Sequence, residues 1–244
     1  MIKIIIHITK LIVVTITALL FASCNLNMNT IEGSGNVTTE KRIVQGDFKN
    51  IRVSNAIDLV IEQSDSTSIT VEADDNLQKE IETTVENGTL VIRCKFNSFR
   101  NISQKKVTVK MPVINKIEAS SAASVASKNI IQGQDIELET SSAATMDVNV
   151  ESDNISCITS SGSSITIEGK ALKTITRASS GSSVNAGKLF ANEIEADASS
   201  GGNLEVHPIL SLKAGASSGG SINYNNAPKT IEKTASSGGS ISQG

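Results

Sequence analysis

The sequence predicts an all-β fold: a single-stranded, right-handed parallel β-helix (β-solenoid) with about 19 residues per coil in the C-terminal half and wider coils in the N-terminal part. Three observations predict it. A Ser-Ser pair followed by small residues recurs seven times, starting at Ser120, Ser141, Ser160, Ser179, Ser199, Ser217 and Ser236. Five positions after each first serine stands an apolar residue: Val125, Met146, Ile165, Val184, Leu204, Ile222 and Ile241. Four or five positions before it, from the second pair on, stands another: Ile136, Ile155, Ile175, Ile194, Leu212 and Ile231. Stretches such as Ile136-Glu137-Leu138-Glu139 and Ile165-Thr166-Ile167-Glu168 alternate with the strand period of two.

A coil of this length holds two or three short strands and their corners, too little to bury an apolar face alone, so coils must stack. Strand spacing then makes seven coils a rod of roughly 30 Å, and the crossover preference makes it right-handed. Aromatic residues are 2% of the chain and Trp is absent, so Ile, Val, Leu and Ala must fill the core. Glycine pairs such as Gly201-Gly202 are expected to supply the positive φ of a tight corner, and the stacked serines to bond one another and the backbone.

The N-terminal segment is set apart from this body. Residues 1–23 carry Lys3 and Lys10 beside the apolar run from Leu11 to Ala22 and end in Leu20-Phe21-Ala22-Ser23-Cys24, the pattern of a lipoprotein signal peptide cut before an acylated cysteine. Cys24 is thus the expected lipidation site and the membrane the first expected partner, since each buried acyl methylene contributes about 0.8 kcal/mol. Cleavage removes two lysines and no acid, moving the net charge from -3 to -5. Residues 24–45 read as a tether and lead-in strand, and residues 46–244 as one solenoid domain.

Within that domain, Ile51-Arg52-Val53, Ile57 to Ile61, Ile69 to Ala73 and Val107 to Met111 alternate as strands. Asp74 to Glu86 reads as a short helix, and Asn87-Gly88 as the turn before a strand from Thr89 to Phe96. Ser54-Asn55-Ala56-Ile57 is similar to the later corners, which makes this part the wider opening coils of the same body. Cys94 and Cys157 fall in separate apolar runs and are expected to be two buried thiols. The last coil stops at Gly244 and is expected to fray or to pair with another molecule.

Gly33-Ser34-Gly35-Asn36, Phe48-Lys49-Asn50-Ile51-Arg52-Val53-Ser54-Asn55-Ala56-Ile57-Asp58-Leu59, Val71-Glu72-Ala73-Asp74-Asp75-Asn76-Leu77 and Gly88-Thr89-Leu90-Val91-Ile92 resemble the head GIN domain, a family described as putative auto-transporter adhesins. The likeness runs over nearly all of residues 33–244. It implies an exported, lipid-anchored envelope protein of Bacteroidetes type with a β-helical body, and it brings no binding residues with it.

Chemistry is sparse. Polysaccharide lyases and hydrolases on β-helices need clustered acids, or acids with cations, on one wall. Glu137, Glu139, Glu195 and Glu232 instead alternate with apolar residues, as a solvated strand face would carry them. His207, before Pro208, is the one histidine left after cleavage and has no evident catalytic company. Neither metal-ligand spacing nor a phosphate loop is present, so no metal or cofactor is expected. The acidic balance speaks against nucleic acid. Phe48, Phe96, Phe99, Phe190 and Tyr224 are too dispersed to promise a sugar-stacking platform, while the Ser/Gly/Asn stripe could offer hydrogen bonds to a protein or glycan. Asp65-Ser66-Thr67 is similar to the short O-glycosylation sequon of Bacteroidetes exports. The reading is a non-catalytic envelope lipoprotein with a solenoid interaction surface, an adhesin expected in the outer membrane; a periplasmic scaffold and a polysaccharide-active enzyme are the alternatives.

Overall fold

A computed structural model describes residues 8, 10–15 and 29–244. The leader is covered only by the helical residues 8 and 10–15, and Cys24 lies outside the described residues. Among the described residues no helix is long and apolar enough to cross a membrane.

Strands β1 (Thr30–Glu32) and β2 (Val37–Arg42) precede β3 (Asn50–Val53) and β4 (Asp58–Gln63). Next come β5 (Ser68–Asp74), β6 (Ile81–Glu86), β7 (Thr89–Cys94), β8 (Ser98–Arg100) and β9 (Lys105–Met111). The regular part runs through β10 (Lys116–Ala119), β11 (Ser124–Ser127), β12 (Ile131–Thr140), β13 (Thr145–Thr159), β14 (Ser164–Ala178), β15 (Ser183–Ala198) and β16 (Asn203–Ala216). It ends with β17 (Ser221–Tyr224), β18 (Thr230–Ala235) and β19 (Ser240–Gln243).

These strands stack as the predicted parallel β-solenoid. Each coil has a first wall before the Ser-Ser corner, a second wall after it, and a shorter third wall that closes the loop. The first wall stacks β7, β3 and β10, then the second halves of β12 to β16, then β18. The second wall stacks β9, β4 and β11, then the first halves of β13 to β16, then β17 and β19. The strands of β13 to β16 are long because each runs on through the third wall, where β13 and β14 stay paired and β15 pairs with register shifts at Thr166/Glu168, Ala186/Phe190 and Ala191/Glu193.

The alternation read from sequence fills the interior. Val125, Met146, Ile165, Val184, Leu204 and Ile222 are all buried, as are Ile136, Ile155, Ile194 and Leu212. Ile175 departs from the expectation: it faces outward, and Thr174 and Thr176 are buried in its place. Register decides this, because Thr174 stacks between Ile155 and Ile194, and Thr176 between Cys157 and Ala196. Both hydroxyls are buried without a hydrogen-bond partner.

The opening coils are more elaborate than wider versions of the later ones. The chain lays down β3 and β4 first and then places β7 and β9 on their outer side. It next crosses back to set β10 and β11 on the inner side, so spatial order departs from chain order. Antiparallel strands finish that end: β6 pairs with β7, β5 with β9, and β2 with β5. These are a cap, which a solenoid needs because a bare end coil exposes unpaired backbone.

The helix expected over Asp74 to Glu86 is absent. Turns carry the chain to β6, with Leu77 N–H donating to Asp74 O (2.8 Å) and Glu80 N–H to Leu77 O (2.9 Å). The residues Ile81, Thr83, Thr84 and Val85 favour a strand, and the Asn87-Gly88 turn folds it onto β7. At the other end of the rod β18 is exposed along its whole length.

Stability should follow this layering. Ile165→Ala, at a fully buried position, is expected to cost about 2–5 kcal/mol in urea unfolding, whereas Ile231→Ala, 43% exposed in β18, should cost less than about 1 kcal/mol.

Candidate functional site

The corner sets the geometry of every surface row. In Ser199-Ser200-Gly201-Gly202, Ser200 (φ 50°) and Gly201 (φ 74°) are left-handed, and Gly202 N–H donates to Ser199 O at 2.8 Å, which makes a type I′ turn. All seven Ser-Ser corners place the second serine in this region, and at the first two an alanine, Ala122 or Ala143, follows it there. The glycine pair is therefore not the sole source of positive φ. The second glycine serves close approach instead: a Cβ on Gly202 would lie 2.3 Å from Ala178 O in the coil below.

Corners bond to one another through the main chain. Ala122 N–H donates to Ser142 O (2.9 Å), Ala143 to Ser161 O (3.1 Å), Gly162 to Ser180 O (3.1 Å) and Gly219 to Ser237 O (3.2 Å). The side-chain bonds expected of the serine pairs come from the fourth corner residue. Buried Ser163 meets Thr140 Oγ1 (2.9 Å) and buried Ser182 meets Thr159 Oγ1 (2.9 Å).

Ala56 N–H continues the ladder to Ser121 O (2.9 Å), which leaves the Asn55 carbonyl as its capped end. No tight turn lies beneath to supply an N–H. Lys105 supplies it: its ammonium donates to Asn55 O at 2.7 Å and sits 3.1 Å from the Phe99 ring centre, a cation–π arrangement. Burial pushes the pKa of Lys105 down to about 8. Sequence reading missed this residue, because only the stacking of the coils brings it under Asn55, 50 positions away.

The three walls differ in chemistry. On the first, the acids predicted to be solvated are neutralised by neighbouring coils. Lys116 bridges Glu118 (3.0 Å), Glu137 (3.3 Å) and Glu139 (2.9 Å), and Arg177 reaches Glu195 (3.5 Å) and Asp197 (3.7 Å). Burial opposes the Lys116 charge, but the hydrogen bonds to Glu139, Glu118 and Glu137 outweigh it and raise its pKa. Burial likewise works against the Glu118 carboxylate, yet Arg52 and Lys116 hold it below the ordinary range. Glu232 lies on exposed β18 and makes no ion pair among the described residues. These acids are strung along the rod rather than brought together.

On the second wall the outward rows are polar and largely uncharged. Ser124, Thr145, Ser164, Ser183, Asn203, Ser221 and Ser240 form one row in register. Beside it run Ala126, Asp147, Thr166, Asn185, Glu205, Asn223 and Ser242. A hollow of about 260 Å³ lies between coils, lined by Ser183, Asn185, Asn203, Glu205, Ser221 and Asn223. With the Ser-Ser corners along its edge, this is the stripe that sequence reading singled out, and it can offer hydroxyls and amides at the strand spacing of about 4.8 Å.

The remaining predicted residues are scattered. His207 lies on the third wall, edge-on to Phe190 with ring centres 4.6 Å apart. Cys94 and Cys157 are free, buried thiols, and desolvation pushes Cys157 up to about 12. Ser66 is exposed in the turn between β4 and β5. Among the described residues no group of three or more His, Cys, Asp or Glu could hold a metal ion.

Comparison with known proteins follows the fold. A family model described as putative auto-transporter adhesin, head GIN domain, matches residues 47–228. A solved putative adhesin from Bacteroides fragilis is similar over 87% of this chain and 99% of its own, with a TM-score of 0.80 at 22% identity. A putative lipid binding protein from Parabacteroides distasonis is similar over 88% and 99%, with a TM-score of 0.73 at 21% identity. A putative adhesin from the same species gives 88% and 100%, a TM-score of 0.72 and 24% identity. Among curated proteins nothing matches.

Two measurements probe the corner ladder. Gly202→Ala should cost about 1–3 kcal/mol through overpacking, whereas Gly201→Asn, where a Cβ meets nothing within 4 Å, should cost less than about 1 kcal/mol, since Asn tolerates the left-handed region. Lys105 has a second signature. Its folded pKa of about 8 lies below an unfolded value of about 10.4. Between those values the unfolded chain binds more protons, so this group adds stability as pH rises through the window and loses it as pH falls through about 8. Urea unfolding at pH 7 to about 10 should show wild type gaining on Lys105→Met across that range.

Proposed function

The chain belongs to the head GIN domain family of putative auto-transporter adhesins, and on that premise we propose that it is a cell-envelope lipoprotein. Cys24 carries its lipid anchor in the outer membrane, and its second solenoid wall makes non-catalytic adhesive contact with a glycan or protein. The observation that carries this reading is the pair of polar rows on that wall, interrupted only at Ala126. They present the same few hydrogen-bonding groups at fixed intervals over seven coils. An adhesive surface draws on many such weak contacts in parallel, and linking them raises avidity without any one being strong. The first wall supports the same assignment. Glu118, Glu137, Glu139 and Glu195 are tied to cations there and Glu118 is held ionised, whereas a general acid needs a carboxyl held protonated near neutral pH.

The lipid anchor follows from Leu20-Phe21-Ala22-Ser23-Cys24. It puts residues 25–29 between the lipid and β1, a short tether at the capped end of the rod. Protease added to intact cells should degrade the domain, and Cys24→Ala should release it from the membrane fraction. A domain that protease leaves untouched until the outer membrane is breached would overturn the adhesive role and favour a periplasmic scaffold, while leaving the anchor in place.

A further inference from the structure

From residue 100 onward eight large apolar side chains are exposed, and six of them lie on the third wall: Val113, Ile130, Leu172, Phe190, Ile209 and Leu210. Exposed apolar residues scattered singly need no explanation, but a run along one face marks a contact surface. The charges on this wall are ordered as well. Glu151 and Asp153 lie in one coil and Lys170 and Lys173 in the next, with Glu151 and Lys170 register partners. Glu151, Asp153, Lys170, Leu172, Phe190 and Ile209 together line a hollow of about 640 Å³. None of the four charged residues takes part in an ion pair among the described residues, unlike the charges of the first wall.

We propose that the third wall binds a second copy of this chain, the two rods running antiparallel about a two-fold axis that passes between the Glu151 coil and the Lys170 coil. That axis sets each coil against a partner of matching chemistry. The Glu151–Asp153 coil faces the Lys170–Lys173 coil of the other copy, and the reverse contact repeats on the far side of the axis. One coil further out, Ile130's coil meets Phe190's. Beyond that, Val113's coil meets that of Ile209 and Leu210. Both copies share one coil spacing, so the match holds along the rod, as an isologous interface requires. A parallel arrangement would set acid against acid and base against base, which disfavours it. The contact leaves the second wall free and is independent of what that wall binds.

Charge reversal tests the pairing. Light scattering on the full chain in mild detergent, with the detergent mass subtracted, should give twice the monomer mass for wild type. Lys170→Glu/Lys173→Glu and Glu151→Lys/Asp153→Lys should each give the monomer mass, because each sets like charges opposite one another. An equimolar mixture of the two variants should recover the doubled mass, since the heterodimer restores both contacts, and a misfolded variant could not do so. The proposal is overturned if wild type stays monomeric at the highest concentration reached, whether or not it sediments with phosphatidylcholine vesicles. It is equally overturned if either variant dimerises as wild type does, or if the mixture remains monomeric.

Discussion

A solenoid must hand its backbone hydrogen bonds from one coil to the next without interruption, and the place where that is hardest is the corner. A corner that turns within two residues requires positive φ at both, a conformation costing an L-residue roughly 1–2 kcal/mol. Here the cost falls on serine at every Ser-Ser corner and on alanine at two of them. What offsets it is the bond each corner's third residue makes to the second residue of the next, together with the ladders of both walls that the tight turn keeps in register. A looser corner would leave those groups to water or unpaired, and an unpaired buried group costs about 1–3 kcal/mol. Strain at the corner is thus tied to stacking, and neither exists without the other.

The ends of the rod follow from the same constraint. At the N-terminal end the last corner carbonyl, that of Asn55, has no turn beneath it, and an ammonium buried beside Phe99 takes the role of the missing amide. Burying that charge is unfavourable, as the lowered pKa of Lys105 records. The arrangement is held because β7 and β9 must bracket a long connection at this level rather than a two-residue turn. The antiparallel strands β2, β5 and β6 complete the same end by pairing edges that a parallel coil would leave open.

What could be read from sequence was what repeats. The serine pairs and the aliphatics five residues beyond them fixed the coil, because every coil solves the same packing problem with the same spacing. Two kinds of feature escaped. One is register: Ile175 and Thr174 are adjacent, and only the partners Ile155 and Ile194 decide which of them points inward. The other is non-local order. Nothing local says that β7 and β9 lie outside β3 and β4, or that Lys105 lies under Asn55. The sequence over Asp74 to Glu86 was read as helix on local grounds, and a hairpin partner won. For the candidate site, the polar stripe was legible as composition, but the division of the surface into a charge-paired wall, a largely uncharged polar wall and an apolar wall required the fold.

That division follows from how little the fold asks of its surface. The interior needs an aliphatic or small residue at alternate positions and a corner that tolerates positive φ, and each coil touches only its neighbours. Outward positions are then free to vary row by row with little effect on stability. Chains differing at most positions can therefore hold the same coil, so the interior carries the fold while the outward rows are left to vary. In this chain those rows are not uniform around the rod. Cations and acids alternate where coils neutralise one another, hydroxyls and amides predominate on the next wall, and apolar side chains with uncompensated charges gather on the third. A rod that needed only to be soluble would have no reason to sort its surface in this way; one that meets different partners on different faces would.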